Sequence, residues 1–339
     1  MNARVLTSAL LWAALLGIAR PGLAEPVRIK LATLAPKGST LHKHLMEMRD
    51  EWRRVAPDAV DLVLFTDGCM GGERDVVRKM RSGQLQAAAM TAVGLSEIDP
   101  SMGALQFMPL AFRSWVEVDY VRDRMKAQME EKLLDKGYVV LFWADAGWVR
   151  YFSRQPFSNP ADLKKLKIFV WAGSTEHIDT MKAMGFKPVP LETGDILPGL
   201  KTGMIDVVPT TPVYANALQF YNLAPYMLEL NWTPIAGGAV VSAKTWNRLP
   251  EAVRTRLRQA AEQTGEKLRR KLRRESEEAV EAMKARGLKV QALTPAIEAE
   301  WQKIAQAVQP VVRGTIVPAD TFDQVQRLLA EYRAGKRVP

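Results

Sequence analysis

A single cysteine, Cys69, and three histidines stand among the 339 residues. One cysteine excludes an internal disulfide framework and a cysteine-rich zinc site. Three histidines leave little for imidazole-based catalysis. His42 and His44 lie two positions apart in a predicted helix and so point to different faces, unlike the four-residue spacing of a helical metal pair. His177 has no partner in sequence. After residue 24 no apolar run approaches the ~18 residues that a membrane-spanning helix needs. The glycine-rich stretch Asp67-Gly68-Cys69-Met70-Gly71-Gly72 has neither the Gly-Lys-Ser/Thr ending of a phosphate loop nor the spacing of a dinucleotide fingerprint. Cys69 therefore reads as a small residue filling a turn. Internal repeats, low-complexity segments and flexible linkers are also missing, so any two domains are joined by structured crossings and not by a tether.

What is present describes an ordinary globular chain, 47% apolar and 25% charged. Its length fits two domains. The first 24 residues stand apart. Arg4 gives a positive start, residues 9–18 are apolar, and Gly22-Leu23-Ala24 supplies small residues at the cleavage position. This is the pattern of a secretory signal peptide cut after Ala24, which places the mature chain in the periplasm. Lys and Arg exceed Asp and Glu by 47 to 37, for a formal net charge of +10. In an exported chain with no recognisable nucleic-acid module, that excess does not indicate nucleic-acid binding. Cys69 lies too far from the signal to be a lipid anchor.

The hydrophobic pattern predicts strands at 27–33, 60–65, 86–91, 138–144, 148–153, 166–170, 205–208 and 237–242. It predicts helices at 40–55, 73–81, 115–136, 175–184, 195–202, 212–221, 250–286, 295–313 and 320–333. Gly147 is read as breaking the strand before it, and Pro198 as interrupting its helix. Strands alternating with helices give an α/β chain with a largely parallel sheet. Residues 148–153 read as a crossing into a second lobe, and 237–242 as a return.

Trp148, Phe169 and Trp171 fall at or near predicted strand ends, where clefts of α/β folds form, and are candidates for an apolar pocket wall. Residues 267–274 (KLRRKLRR) carry six cations. The favoured reading is a solvated helix face relieved by Glu275, Glu277, Glu278 and Glu281. Peripheral contact with an anionic membrane surface or an acidic partner is the alternative.

A series of short motifs in order carries a resemblance. It runs from Leu31-Ala32-Thr33-Leu34-Ala35-Pro36-Lys37-Gly38-Ser39 through Gly71-Gly72-Glu73-Arg74-Asp75 and Met108-Pro109-Leu110-Ala111-Phe112. Gly147, Arg150, Asn159-Pro160-Ala161-Asp162-Leu163, Gly185 with Pro188 and Pro190, and Leu200 to Asp206 follow in sequence. Behind a signal peptide, this set resembles the DctP-type solute-binding proteins of TRAP (tripartite ATP-independent periplasmic) transporters over essentially the whole mature chain. The resemblance implies a two-lobed periplasmic-binding-protein fold. Each lobe would be a mixed, mainly parallel sheet with flanking helices, with a ligand cleft between the lobes and a long helix spanning both. Lobe I would comprise 25–147 plus 237–270, and lobe II 148–236 plus 271–339. It implies a receptor that closes on a small organic acid and delivers it to a TRAP-type membrane permease, with no catalytic residue and no cofactor.

The departures bear on the ligand. The family's signature arginine, which pairs with the ligand carboxylate, aligns with Phe169, and a phenyl ring cannot grip a carboxylate through two hydrogen bonds. Thr210, with Thr211, replaces a family amide. A second family arginine is retained as Arg150, and Leu34 and Thr91 match other contact positions. With Trp148, Trp171, Tyr214 and Glu192, these complete the expected ligand-binding set. Two readings stay open. Arg150 anchors a monocarboxylate whose body packs on aromatic residues, or the ligand is uncharged or apolar and Arg150 serves structure. Losing a buried cation and gaining apolar surface favours a hydrophobic or weakly polar ligand. A lipid or hydrophobic-molecule carrier and a periplasmic enzyme are the rival classes. Against the enzyme stands the lack of a visible Ser-His or Cys-His constellation.

Overall fold

The computed structural model describes residues 25–172 and 175–335. The predicted signal peptide, residues 1–24, lies outside the described residues, as do the side chains of Glu176 and His177. The chain runs β1 (Val27–Thr33), α1 (Thr40–Val55), β2 (Val60–Phe65), α2 (Glu73–Arg81), β3 (Ala87–Thr91), α3 (Ala92–Ser96), α4 (Trp115–Asp135) and β4 (Tyr138–Trp148). It continues with β5 (Arg150–Ser153), α5 (Pro160–Leu163), β6 (Lys167–Trp171), α6 (Thr175–Ala183), β7 (Lys187–Leu191), α7 (Ile196–Thr202), β8 (Val207–Thr210), α8 (Pro212–Ala217) and β9 (Tyr226–Leu228). Then come β10 (Pro234–Ser242), α9 (Ala243–Trp246), α10 (Glu251–Lys284), β11 (Lys289–Gln291), α11 (Pro295–Thr315) and α12 (Ala319–Arg333).

Two sheets result. One has the order β2-β1-β3-β10-β4, the other β11-β9-β5-β8-β6-β7. In the first, β1 is parallel to β2 and β3, while β10 is antiparallel to β3 and β4. In the second, β6 is parallel to β7 and β8, and β5 is antiparallel to β8 and β9. The chain passes from the first sheet to the second at Val149, between β4 and β5, and returns between β9 and β10.

Local chemistry accounts for most boundaries. The Ser39 hydroxyl accepts from the His42 amide and starts α1. Ser114 does the same for α4, and Glu117 reaches back to the Arg113 amide at 2.7 Å. His42 and His44 each make a local backbone contact, His42 Nδ1 with the Gly38 amide and His44 Nδ1 with the Thr40 carbonyl. Cys69 is exposed in its turn.

Several expectations need correction. β4 does not break at Gly147: that residue takes φ 109°, and the strand continues because Trp148 still pairs with Pro234. Pro198 does not interrupt α7. It sits in the first turn, where a missing N–H leaves no bond unmade. The helix expected over 212–221 ends at Ala217, since Gln219 adopts a left-handed φ of 57°. The strand expected at 205–208 lies at Val207–Thr210. Sequence reasoning missed β7, whose two prolines are tolerated because it is an edge strand, and it missed the three-residue strands β9 and β11 and the short α3.

The unbroken α10 joins the two halves. Leu257, Ala261 and Leu268 pack with Trp52 and Leu141 beside the first sheet, while Val280 and Met283 pack with Phe152 and Phe220 in the second lobe. A Cβ at Gly265 would stand 2.5 Å from Phe142 Cβ, so glycine lets α10 lie directly on β4. The cationic stretch is only partly a solvated face. Arg270, Lys271 and Arg274 pair with Glu266, Glu275 and Glu278 along the outside of the helix. Arg273 turns inward. It bonds both Asp119 oxygens at 2.7 Å and Asp145 at 2.7 and 3.1 Å, with its guanidinium over the Trp115 ring at 4.3 Å. Burial works against this charge, but the hydrogen bonds from Asp119 and Asp145 outweigh it and raise the Arg273 pKa.

Asp145 has a side chain only 2% exposed. Arg273→Ala would leave it uncompensated, so this substitution should destabilise the fold by about 3–5 kcal/mol in urea unfolding. The outward Arg270→Ala should change stability by about 0.5 kcal/mol or less. Equal effects would contradict this division of the helix.

Candidate functional site

The carboxyl ends of parallel strands converge between the lobes. Leu34 follows β1, Thr91 ends β3, Trp171 ends β6 and Thr210 ends β8. Side chains at these positions face a shared space, as expected where parallel strands of open sheets terminate. The space has three parts. An outer chamber of about 530 Å3 lies between Leu34, Thr91 and Gln106 on one side and Trp171 and Glu192 on the other. An inner chamber of about 190 Å3 is walled by Leu34, Thr91, Gly237 and Leu272 and by Trp171, Thr210, Thr211 and Tyr214. A side cavity of about 100 Å3 lies next to Phe107, Met181 and Trp232. Trp171 and Ile235 border all three. At Gly237 a Cβ would come within 2.3 Å of the Met90 carbonyl oxygen, so glycine keeps β10 tight against β3 at the chamber wall.

Glu73, the first residue of α2, is the buried carboxylate of this site. Oε1 accepts from the Thr91 amide, and Oε2 from the Thr91 hydroxyl and the Gly94 amide, each at 2.7 Å. The carboxylate thereby caps the first turn of α3 from outside the helix. Burial pushes its pKa above the ordinary carboxyl value, against the pull of the three donors. The outer chamber also presents Asp75, Glu97 and Glu192. Among the described residues its one cationic lining side chain is Arg74, paired with Glu97 at 2.8 Å. The inner chamber adds Asp145, which Arg273 neutralises, and no cation. Burial raises the Tyr214 phenol to about 12, so it stays protonated at neutral pH.

The sequence-derived residues divide. Leu34, Thr91, Trp171, Thr210, Thr211 and Tyr214 come together around the inner chamber, with Glu192 at the outer one. Phe169 is 1% exposed, lies edge-on under Trp171 with ring centroids 4.9 Å apart, and borders only the side cavity. Trp148 packs on Trp115 in the first-lobe core, ring centroids 4.7 Å apart, and lines none of the three spaces. Arg150 lines none of them either. It is buried, donates from Nε to the Asn231 amide oxygen at 3.2 Å and pairs with Glu277 on α10 at 3.6 Å. Glu73, Gln106 and Ile235 were missed. Glu73 had a signal, a carboxylate opening a helix directly after Gly71-Gly72. Gln106 and Ile235 had none.

A model of the DctP family, described as bacterial extracellular solute-binding protein family 7, matches residues 31–314. The chain belongs to this family. It is a periplasmic solute-binding protein of the TRAP type, and its two-lobed α/β fold agrees with that family. The C4-dicarboxylate-binding periplasmic protein DctP of Rhodobacter capsulatus is 23% identical over 93% of this chain and 95% of its own length. The 2,3-diketo-L-gulonate-binding periplasmic protein YiaO of Escherichia coli is 22% identical over 86% of this chain and 88% of its own. Among solved structures, a TRAP solute-binding protein from Ralstonia eutropha with bound (S)-2-acetolactate superposes with a TM-score of 0.83, at 19% identity over 90% of this chain and 99% of that one. One from Shewanella oneidensis with bound succinate gives 0.82, at 18% identity over 90% and 99%.

The Glu73 environment makes a titration prediction. Because the folded state holds this proton more tightly than the unfolded chain, the contribution of Glu73 to stability is fully present at pH below the ordinary carboxyl value of 4.5 and is lost as pH rises through the raised value. Carbon-detected NMR should give a Glu73 midpoint above 4.5; a midpoint below it would mean that the three donors dominate.

Proposed function

We propose that this DctP-family protein is a periplasmic receptor for a solute more hydrophobic and less anionic than the carboxylates of its relatives. One observation carries the reading: among the described residues the chambers have a single cationic lining side chain, Arg74, already bonded to Glu97. The resemblance to the family adds that Phe169 takes the position of its signature arginine. An anionic group enclosed there would face Glu73, Asp75 and Glu192 with no free cation, at a cost of several kcal/mol. The apolar body of the ligand packs on Trp171, Tyr214 and Leu34. Thr210 and Thr211 supply neutral hydrogen bonds, and Glu192 lines the larger chamber. Arg150 serves the lobe crossing by tying Asn231 to Glu277.

In this reading the lobes, 25–147 with 237–270 and 148–236 with 271–339, rotate about their crossings and about α10. Ligand contacts to both lobes favour the closed state of an open–closed equilibrium. The closed receptor then hands its solute to a TRAP-type permease. The signal peptide directs export and is removed after Ala24, and the protein performs no chemistry on the solute.

Native mass spectrometry of the mature protein, followed by extraction and identification of any retained compound, tests the proposal. A neutral or apolar solute is expected, and a dicarboxylate or sugar acid would overturn it. Phe169→Arg should weaken binding of the recovered solute at least tenfold, and tighter binding would count against the proposal as strongly.

A further inference from the structure

The side cavity differs from the chambers in having no charged lining side chain among the described residues. Its lining still includes the polar side chains of Gln106, Tyr151, Thr180 and Thr233, the last bonded to the Gln106 carbonyl. Gln106 is 9% exposed, and its side-chain oxygen is buried without a hydrogen-bond partner. Tyr151 is 1% exposed. Its ring is fixed by stacking on Trp301 at 5.7 Å and by edge contacts with Phe157 and Trp232. Burial raises its phenol pKa. The unbonded Gln106 oxygen carries a desolvation cost that a bound group removes, and Tyr151 lines the same wall.

The remaining wall is soft on one side and rigid on the other. Met181 and Met184 of the α6 segment are flexible thioethers, able to adapt to the shape of an occupant. Trp232 and Tyr151 are locked in the aromatic stack. About 100 Å3 is somewhat less than the ~150 Å3 of a dry cavity that admits benzene. A single ring would therefore enter only with displacement of the methionines. Trp171 and Ile235 border this cavity and both chambers, so a group seated here lies next to the rest of the cleft.

We infer that the side cavity is a ligand subsite for an uncharged ring bearing a single hydroxyl or carbonyl, held by the Tyr151 hydroxyl and the Gln106 amide. The remainder of the solute reaches past Trp171 and Ile235 into the main chambers. This rests on the receptor reading above and gives its hydrophobic solute a defined shape: a compact neutral ring at one end and a more polar end among the threonines.

Phenol and benzene are the probes, measured by titration calorimetry on the mature protein. Phenol should bind the wild type more tightly than benzene. Tyr151→Phe should weaken phenol about fivefold to tenfold and leave benzene unchanged, the loss expected for one neutral hydrogen bond. Met184→Trp, at a half-buried position, should abolish binding of both by filling the cavity. Equal affinity for the two probes, no heat with either because water alone fills the space, or phenol binding unaffected by Tyr151→Phe would each overturn the subsite. The solute recovered from the wild type separates the two proposals. If Met184→Trp still retains it at full occupancy, the subsite is wrong and the hydrophobic-receptor reading stands. If that solute is a dicarboxylate or sugar acid, the receptor reading falls first and the subsite falls with it.

Discussion

The position of α10 governs the molecule, and Arg273 fixes it. One guanidinium holds a carboxylate from α4 and another from β4 while resting on Trp115. Upstream, Gly265 lets the same helix lie against Phe142; downstream, a Cβ at Gly147 would stand 2.9 Å from the Ser276 hydroxyl. The helix is thus pinned to β4 along the face from which the chain leaves the first lobe. Because it continues unbroken into the second-lobe core, the two lobes are also tied together by contacts made away from the cleft.

The site follows from that frame by simple topology. Parallel strands of both sheets end toward the gap, so the residues after them become its walls without any long loop to carry them. The chemistry of those walls is selective in what it omits. The buried carboxylate Glu73 is satisfied by neutral donors, Asp145 by a guanidinium outside the chamber, and Arg74 by Glu97. What remains available to a solute is aromatic surface and hydroxyl groups. Phe169 contributes from behind, as the support under Trp171.

Much of this architecture was legible in the sequence, and the reason is local chemistry. The boundaries of β1, α1, β2 and α2 follow from alternation, from the Ser39 cap and from glycines, all within a few residues of the element they define. The wall residues that end parallel strands were legible for the same reason. What failed depended on partners distant in sequence. Trp148 and Arg150 flank the crossing, and only the pairing of β4 with β10 and the placement of α10 decide that one enters the first-lobe core and the other meets Glu277. The inward turn of Arg273 required Asp119 and Asp145, from elements more than a hundred residues away. β7 was hidden because its prolines argue against a strand until its place at the sheet edge is known.

The acidic rim of the cleft has a consequence for kinetics. The chain as a whole carries a formal charge of +10, which draws anions toward its surface at long range. Of the carboxylates around the larger chamber, Glu97 is paired with Arg74 and Asp75 with Arg78, and Glu192 opposes that field within about a Debye length, roughly 8 Å at physiological ionic strength. On the proposed reading, an anion gathered at the surface would meet that carboxylate before entry, whereas a neutral molecule would feel neither field, so discrimination would begin before any contact in the pocket is made.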